Sequence, residues 1–143
     1  MKIALTGATG FIGIHVLKSL VDAGHKPVII SRKKQINNNL SQFKLVNLDL
    51  SQIENNIYEK IGKPDLLIHL AWGGLPNYNS KYHIHEELPI QINFLREMIQ
   101  SGLKNLFVSG TCFEYGIQEN ALDVETKLNP INEYGTAKVN LYR

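Results

Sequence analysis

The sequence has little of several features that would tie a protein to particular surroundings. Its single cysteine allows no internal disulfide and fits a reducing compartment. The net charge of +2 is too small to indicate a nucleic acid or an anionic membrane as the partner. No apolar run approaches the ~20 residues that a membrane-spanning helix needs, and the N-terminus does not resemble a signal peptide. We therefore expect a cytoplasmic protein.

The length and composition indicate an ordinary globular chain. With 143 residues, 43% of them hydrophobic and 20% charged, it can bury a substantial core. There is no internal repeat, linker or low-complexity segment. We expect a single domain over residues 1–143.

The most informative stretch is glycine-rich and lies at the start of the chain. An apolar run, Ile3 to Leu5, leads into glycines at positions 7, 10 and 13, and an amphipathic stretch follows. Gly7 permits a tight turn, Gly10 lets the main chain approach a pyrophosphate, and Gly13 lets the helix pack closely on the strand. The free N–H groups and the dipole at a helix N-terminus stabilise phosphate charge. The stretch therefore predicts strand, phosphate-binding turn and helix.

The rest of the chain alternates between predicted strands and helices. The further strands are predicted at 28–30, 43–48, 66–71 and 106–108, and the further helices at 51–61, 90–99 and from 133. The asparagine-, tyrosine- and histidine-rich stretch before Pro89 lacks clear periodicity and is predicted to be a loop. Such alternation predicts a doubly wound α/β fold whose parallel sheet has the order 3-2-1-4-5.

A basic run follows the second predicted strand, with the sequence Ser31-Arg32-Lys33-Lys34. In a dinucleotide-binding fold this strand ends at the adenosine ribose, where a carboxylate binds the 2′-hydroxyl of NAD and arginine accommodates the 2′-phosphate of NADP. No Asp or Glu occurs from Ala23 through Leu48. The sequence therefore favours NADP over NAD, although a solvated basic loop would give the same pattern.

Tyr134 and Lys138 are four residues apart and would share one face of a helix. A phenol has an ordinary pKa near ~10, and a nearby ammonium group lowers it by stabilising the phenolate. Such a pair suits acid–base catalysis near neutral pH. The spacing alone is common, and the strands and glycine turn that precede it are what favour a functional interpretation.

Together these features resemble the extended short-chain dehydrogenase/reductase family, which includes nucleotide-sugar epimerases, dehydratases and ketoreductases. The motifs that carry the resemblance are Thr6-Gly-Ala-Thr-Gly-Phe-Ile-Gly13, Asp49-Leu50, His69-Leu-Ala-Trp72, Ser109-Gly-Thr-Cys-Phe-Glu-Tyr-Gly116 and Tyr134-Gly-Thr-Ala-Lys138. They occur in the family's order along the chain. The resemblance implies the Rossmann fold, a nicotinamide dinucleotide, a nucleotide-sugar substrate and, for the full-length protein, a homodimer.

The resemblance also implies roles for individual residues. Tyr134 would be the acid–base residue and would also contact the cofactor, and Thr111 would take the place of the family's catalytic Ser/Thr. Lys138 would bind the nicotinamide ribose and lower the pKa of the tyrosine. The pyrophosphate would be contacted by the glycine loop, through Gly7, Thr9, Gly10, Phe11 and Ile12, with Gly13 in the same motif. Ser31 and Arg32 would lie at the adenosine ribose, and Asp49 and Leu50 at the adenine. The remaining implied cofactor contacts are Leu70, Ala71, Asn93 and Ser109.

Departures from the family pattern narrow the expected reaction. The dehydratases follow their threonine with Asp-Glu, whereas Cys112 and Phe113 stand here, which disfavours dehydration by that route. Trp72 replaces a residue that is usually small. Members of the family also continue into a smaller C-terminal substrate domain, so we expect a chain truncated within the helix of the Tyr-x-x-x-Lys motif. We expect 4-keto reduction in deoxysugar synthesis, with epimerisation using bound NAD and a dinucleotide-binding module without turnover as alternatives.

The histidines and aromatic residues outside these motifs have simpler interpretations. His69 is expected to be a hydrogen-bonded core residue. His83 and His85 lack an obvious third ligand, so we expect no metal site. Trp72, Tyr78 and Tyr82 would either stack on the nucleotide base of a substrate or pack the loop that carries them, and the sequence favours neither.

Overall fold

Five parallel strands form one sheet in this computed structural model, which describes residues 1–33, 42–53 and 56–142. The order along the sheet is β3-β2-β1-β4-β5, as predicted. The strands are β1 (Ile3–Thr6), β2 (Val28–Ser31), β3 (Leu45–Asn47), β4 (Leu66–His69) and β5 (Asn105–Val108). Parallel pairing on both sides of β1 explains why its residues are apolar or hydrogen-bonded and all buried.

Four α-helices accompany the strands in the described residues. They are α1 (Phe11–Asp22), α2 (Ile57–Ile61), α3 (Leu88–Gln100) and α4 (Glu133–Leu141). A π-helical turn, His83–Glu87, runs directly into α3, and a short 3-10 turn spans Cys112–Glu114. The segment before Pro89 that was predicted to be a loop is therefore partly helical. The predicted doubly wound α/β fold is confirmed.

The predicted helix over residues 51–61 is wrong in its first half. Ser51 does not cap a helix, because its backbone N–H and its hydroxyl both donate to the carboxylate of Asp49, at 3.0 and 2.8 Å. The described helix begins only at Ile57. Residues 54–55 of the predicted helix lie outside the described residues. So does Lys34 of the basic run.

The chain divides into two compact units. The first contains residues 1–71 and 94–109, and the second contains residues 72–93 and 110–143. The first unit contains the sheet, with a core cluster of Leu5, Ala8, Leu17 and Ile29 whose side chains are at most 3% exposed. The sheet and α1 thereby fix the position of the glycine loop between them.

The second unit is organised around α4. Asn132 is the N-cap of this helix, and its side-chain oxygen accepts a hydrogen bond from the backbone N–H of Gly135 at 2.7 Å. The helix packs against both the π-helical turn and the 3-10 turn. Its buried residues include Tyr134 and Lys138. Over the described part of the chain, each helix is too short or too polar to cross a bilayer.

Candidate active site

Gly7 begins the loop after β1 and meets two requirements at once. Its φ is +71°, in the left-handed region that favours glycine. A Cβ at this position would lie 2.8 Å from the carbonyl carbon of Leu70 and 2.9 Å from the backbone nitrogen of Ala71. The turn therefore brings the loop main chain against the chain that leaves β4, which a larger residue would prevent.

Gly13 allows α1 to start directly against this loop. A Cβ on Gly13 would overlap the carbonyl oxygen of Gly7 and lie 2.8 Å from the Cα of Ala8. The sequence predicted close packing of the helix on the strand, whereas the contact is with the loop that follows the strand. Gly13 therefore determines how closely α1 approaches Gly7.

The start of α1 provides a cradle for an anion. Gly10 is the N-cap residue, and within the described chain no side chain caps this helix end. The backbone N–H of Gly10 donates to the carbonyl of Gly7 at 3.0 Å, and the helix starts with Ile14 donating to Gly10 at 3.1 Å. Thr9, Phe11 and Ile12 are exposed. Free N–H groups at an exposed helix N-terminus are suited to a phosphate, and the phosphate contact of the glycine loop stays a prediction.

Thr6, which the sequence analysis did not single out beyond its motif, joins β1 to the end of β4. Its hydroxyl oxygen accepts from the backbone N–H groups of Leu70 and Ala71, at 3.1 and 3.2 Å. The same oxygen lies 2.9 Å from Nδ1 of His69, and the hydroxyl proton is then donated to that nitrogen. His69 is 2% exposed, as expected for a hydrogen-bonded core residue. Thr6 therefore fixes the position of Leu70 and Ala71 beside Gly7.

Ser31 and Arg32 lie where β2 ends, next to β3. The amide of Asn47 donates to the carbonyl oxygens of both residues, at 3.1 and 2.9 Å. The hydroxyl of Ser31 accepts from the backbone N–H of Lys33 at 3.1 Å. Arg32 is exposed. The strand end therefore has a fixed backbone with a solvent-accessible guanidinium group.

Asp49 and Leu50 follow β3, at the same end of the two parallel strands as Ser31 and Arg32. The two hydrogen bonds from Ser51 lower the pKa of the Asp49 carboxyl, and the positive charge of Arg32 lowers it further. This carboxylate is therefore ionised and engaged within its own turn. Leu50 is partly buried.

Two predicted cofactor residues lie apart from the glycine loop in sequence. Ser109 follows β5, and its backbone N–H donates to the carbonyl of His69 at 3.2 Å. Asn93 lies on α3 and is exposed. The cofactor contacts of both residues stay predictions.

Tyr134 and Lys138 share the buried face of α4, as their spacing predicted. Tyr134 is 8% exposed and Lys138 is 2% exposed. The tyrosine ring is surrounded by aromatic rings of its own unit at centroid distances between 5.3 and 6.3 Å, namely those of His83, Trp72, Tyr78 and Phe113. Tyr78 and Trp72 therefore pack the second unit.

Gly135 allows this helix to approach the turn that carries Thr111. A Cβ on Gly135 would overlap the carbonyl oxygen of Phe113. Thr111 is the N-cap of the 3-10 turn, where its hydroxyl accepts from the backbone N–H of Phe113 at 3.3 Å. Its own backbone N–H donates to the carboxylate of Glu114 at 2.8 Å, which completes a capping box. The capping box therefore fixes Thr111 in a turn that packs against α4.

The pKa of Tyr134 differs from the sequence prediction. Lys138 was expected to lower it, but burial raises the pKa of the phenol above its ordinary value. A hydrogen bond with Thr111 acts in the opposite direction, and the negative charge of Glu114 adds to the increase. Tyr134 is therefore a neutral phenol near pH 7.

Burial also controls the charge of Lys138. Desolvation lowers the pKa of this ammonium group to about 8, although the carboxylates of Glu114 and Glu87 raise it. Its Nζ lies 4.6 Å from the centroid of the Trp72 ring. Lys138 is therefore a buried cation whose proton is more weakly held than that of an ordinary lysine.

Glu87 is a buried carboxylate that the sequence analysis missed. It is 5% exposed and accepts hydrogen bonds from the backbone N–H of Gly73 at 2.7 Å, the hydroxyl of Tyr82 at 2.8 Å and the amide of Gln91 at 2.6 Å. Tyr82 is thereby committed to its own unit. The bonds link the segment after β4 to the π-helical turn, and no periodic pattern in the sequence indicates them.

Comparison with known proteins identifies relatives over almost the whole chain. A family model described as the NAD dependent epimerase/dehydratase family matches residues 3–143. The dTDP-6-deoxy-L-talose 4-dehydrogenase (NAD(+)) of Aggregatibacter actinomycetemcomitans is 33% identical over 140 residues, which are 96% of this chain and 52% of that protein. A UDP-glucose 4-epimerase of Lactobacillus helveticus is 28% identical over 155 residues, covering 97% of this chain and 44% of its own length. The chain spans about half the length of these curated relatives.

Solved structures share the fold. The UDP-Glc/GlcNAc 4-epimerase from Campylobacter jejuni matches with a TM-score of 0.81 and 21% identity, over 99% of this chain and 46% of its own. MoeE5 in complex with UDP-glucose and NAD matches with a TM-score of 0.81 and 22% identity, over 100% of this chain and 47% of its own. At these identities the likeness establishes the fold alone.

Proposed function

Because the chain belongs to the NAD-dependent epimerase/dehydratase family, we propose that it forms the dinucleotide-binding and acid–base part of an oxidoreductase that acts on a nucleotide-linked sugar. The observation that carries the proposal is the buried Tyr134–Lys138 pair on α4, which packs against the 3-10 turn capped by Thr111. A protein that only bound a dinucleotide would not need this acid–base set. A module without turnover is therefore the less favoured alternative.

The residues of the first unit fit a nicotinamide dinucleotide. The pyrophosphate would lie at the start of α1, where Gly10 is the N-cap and no described side chain caps the helix end. Leu70 and Ala71, held by Thr6, would line the cofactor beside Gly7. When bound, the nicotinamide donates or accepts the hydride.

The residues of the second unit would move the proton. In a carbonyl reduction Tyr134 donates its phenolic proton to the sugar oxygen, and Thr111 orients that oxygen and the phenol. The raised pKa of Tyr134 keeps the proton in place at neutral pH, which suits a donor. Lys138 would then stabilise the phenolate that remains.

We favour 4-keto reduction as the reaction. The Aggregatibacter relative is a 4-dehydrogenase of a dTDP-linked deoxysugar, which is the same redox change in the opposite direction. Cys112 and Phe113 lack the carboxylates that dehydration would require. Epimerisation is the second candidate, because several relatives are UDP-glucose 4-epimerases and the same tyrosine would serve both directions of a hydride transfer.

Turnover with a 4-keto nucleotide sugar tests the proposal. The assay follows NAD(P)H absorbance with a dTDP- or UDP-linked 4-keto sugar, using this chain alone and this chain joined to the C-terminal half of the Aggregatibacter relative. We expect stoichiometric NAD(P)H consumption that falls at least ~100-fold in Tyr134→Phe while dinucleotide affinity is unchanged. Tyr82→Phe serves as the matched control. Interconversion of epimers without net NAD(P)H loss would instead establish the epimerase, and Tyr134→Phe with unchanged turnover would refute the assigned role.

For the finer choice of dinucleotide we propose NADP. The support is the exposed Arg32 at the end of β2 and the lack of an acidic residue between Ala23 and Leu48, since a guanidinium group suits a 2′-phosphate. The names of the relatives point the other way, because the Aggregatibacter enzyme is described as using NAD(+) and MoeE5 was solved with NAD.

Calorimetric titration of the chain with NADPH and NADH distinguishes the two cofactors. We expect tighter binding of NADPH and a loss of at least ~10-fold of that preference in Arg32→Ala, because one charged hydrogen bond to phosphate is removed. Lys2→Ala removes an exposed positive charge elsewhere and is the control. Tighter binding of NADH by the unmodified chain would overturn the proposal for NADP.

A further inference from the structure

We propose that Trp72 and His83 form a positioning pair for Lys138, in which His83 fixes the orientation of the indole and the indole face holds the ammonium group of Lys138, which shares the buried face of α4 with Tyr134. The contacts of Trp72 with His83 and with Lys138 are observed within the second unit. Their consequence for catalysis rests on the proposed function.

The first contact lies between Lys138 and the indole. The Nζ of Lys138 is 4.6 Å from the centroid of the Trp72 ring, within the ~6 Å at which the negative face of an aromatic ring attracts a cation. Tryptophan has the strongest such face. Because Lys138 is 2% exposed, water competes little for the charge. The ring therefore replaces part of the hydration that burial removes.

The second contact fixes the ring. The indole Nε1–H can only donate, and it lies 3.1 Å from Nδ1 of His83, so this nitrogen accepts and carries no proton. The other ring nitrogen, Nε2, is 2.9 Å from the carbonyl oxygen of Asn77 and therefore carries the proton that it donates. His83 is 0% exposed. A single neutral tautomer thus connects the backbone at Asn77 to the orientation of the indole.

The charged groups that act on Lys138 come from two elements. Glu87 lies at the end of the π-helical turn and Glu114 lies on the 3-10 turn. Tyr134, on α4 itself, is a neutral phenol near pH 7. Glu87 is committed to Gly73, Tyr82 and Gln91, and Glu114 to the backbone of Thr111. The carboxylates supply negative potential, whereas the indole face is in contact with the ammonium group and can select its position. The carboxylates therefore compensate the charge of Lys138, and the indole determines where the ammonium group lies.

Proton and carbon NMR of the chain with lysine labelled at Cε measures the arrangement directly. Lys138→Met identifies the Lys138 signal. We expect the ε-methylene protons of Lys138 to lie upfield of those of the other lysines because of the indole ring current. The upfield shift should vanish in Trp72→Leu and persist in reduced form in Trp72→Phe, which keeps a ring face. We also expect the protonation midpoint of Lys138 to fall by about one pH unit in Trp72→Leu.

Two variants of His83 separate positioning from packing. His83→Leu fills the space but leaves the indole N–H without its acceptor, so we expect the upfield shift of Lys138 to fall by at least half. His83→Gln provides an amide oxygen in reach of the same N–H and should restore it. Thermal unfolding of each variant establishes that it is folded. An ordinary chemical shift for Lys138 in the unmodified chain, or an unchanged shift in folded His83→Leu, would overturn the proposal.

Steady-state kinetics give a second, independent measurement, made with whichever form of the protein turns over: this chain alone or the chain joined to the C-terminal half of the Aggregatibacter relative. We expect Trp72→Leu to lower kcat about tenfold with little change in KM for the sugar, because the positioned ammonium stabilises the phenolate only after proton transfer. If the unmodified protein shows no turnover but its Lys138 signal is shifted upfield, the proposed function is wrong and the positioning of Lys138 by Trp72 and His83 still holds. Unchanged kcat in Trp72→Leu would show that the pair does not position Lys138 for catalysis.

Discussion

Lys138 is buried as a cation, and this makes the free energy of unfolding depend on pH. Its pKa is lowered to about 8 in the folded chain, from an ordinary value of 10.5. Between these two values the unfolded chain binds more protons than the folded chain, so stability rises with pH. At and below pH 7 the full cost of burying the charge is present.

Replacing this lysine by methionine tests the argument at the scale of one residue. Between pH 7 and pH 10 we expect the unmodified chain to gain about 2 kcal/mol of stability relative to Lys138→Met, from the difference between the two pKa values. Urea unfolding at a series of pH values measures it. The series stops at pH 10 because Tyr134, whose pKa is raised, contributes the opposite slope above that point.

Lys18→Met is the matched control for this experiment. Lys18 is exposed on α1, so the same chemical change there removes a charge that water already solvates. We expect no comparable pH dependence. Equal slopes in the unmodified chain and Lys138→Met would contradict the lowered pKa.

At the scale of an element, the start of α1 depends on a contact that tolerates only a hydrogen atom. Gly13→Ala would push a methyl group into the carbonyl oxygen of Gly7 and against the Cα of Ala8. Both neighbours are backbone and move only if the loop or the helix shifts. We expect a loss of about 1 to 3 kcal/mol in the free energy of unfolding, together with weaker dinucleotide binding, because the helix N-terminus is displaced.

The comparison for Gly13→Ala is Lys18→Ala on the same helix. Lys18 is exposed, and alanine and lysine both favour helix, so its unfolding midpoint should move little. Chemical denaturation and calorimetric titration of both variants measure the two effects. Unchanged stability and unchanged dinucleotide binding in Gly13→Ala would show that the loop adapts.

The elements also show where local sequence patterns succeed and fail. The strand after Lys2, the helix after Gly10 and the helix face shared by Tyr134 and Lys138 were predicted because apolar periodicity, glycine spacing and four-residue spacing are local properties. The helix predicted from Ser51 failed at its start, since the carboxylate of Asp49 competes for the same serine hydroxyl and backbone N–H. Capping residues are ambiguous when a neighbouring acid can form a turn instead.

The candidate site was predicted less completely than the fold. The tyrosine, the lysine and the threonine followed from motif spacing and from the family resemblance. The hydrogen bond from Trp72 to His83 and the three donors to Glu87 were missed, because they join residues through side chains rather than through a repeating pattern. For the same reason the increase in the pKa of Tyr134 was not predicted, since it depends on burial by rings from several segments.

At the scale of the whole molecule, the described sheet ends in an apolar edge. β5 pairs with β4 on one side, and it lies last in the order of described strands. Phe107 on this strand is 58% exposed, and Ile99 on α3 is 52% exposed. Exposed apolar side chains on an edge strand favour association between chains. The 143-residue chain should therefore associate as its concentration rises.

Phe107→Lys tests this expectation by placing a charge on the edge strand. We expect less concentration-dependent association, measured by light scattering across a range of protein concentrations, with the unfolding midpoint little changed because the position is largely exposed. Gln100→Lys adds the same charge at an exposed position of α3 and controls for net charge. Equal association in the two variants would assign it to another surface.

Trp72 is the single tryptophan of the chain, and it lies in the unit that does not contain the sheet. Excitation at the red edge of the indole band therefore gives an optical signal from one compact unit, while far-ultraviolet circular dichroism averages over both. If the two signals lose native character at different denaturant concentrations, the chain unfolds in stages and no single unfolding free energy describes it. A label-free probe of cooperativity is thus already present in the natural sequence.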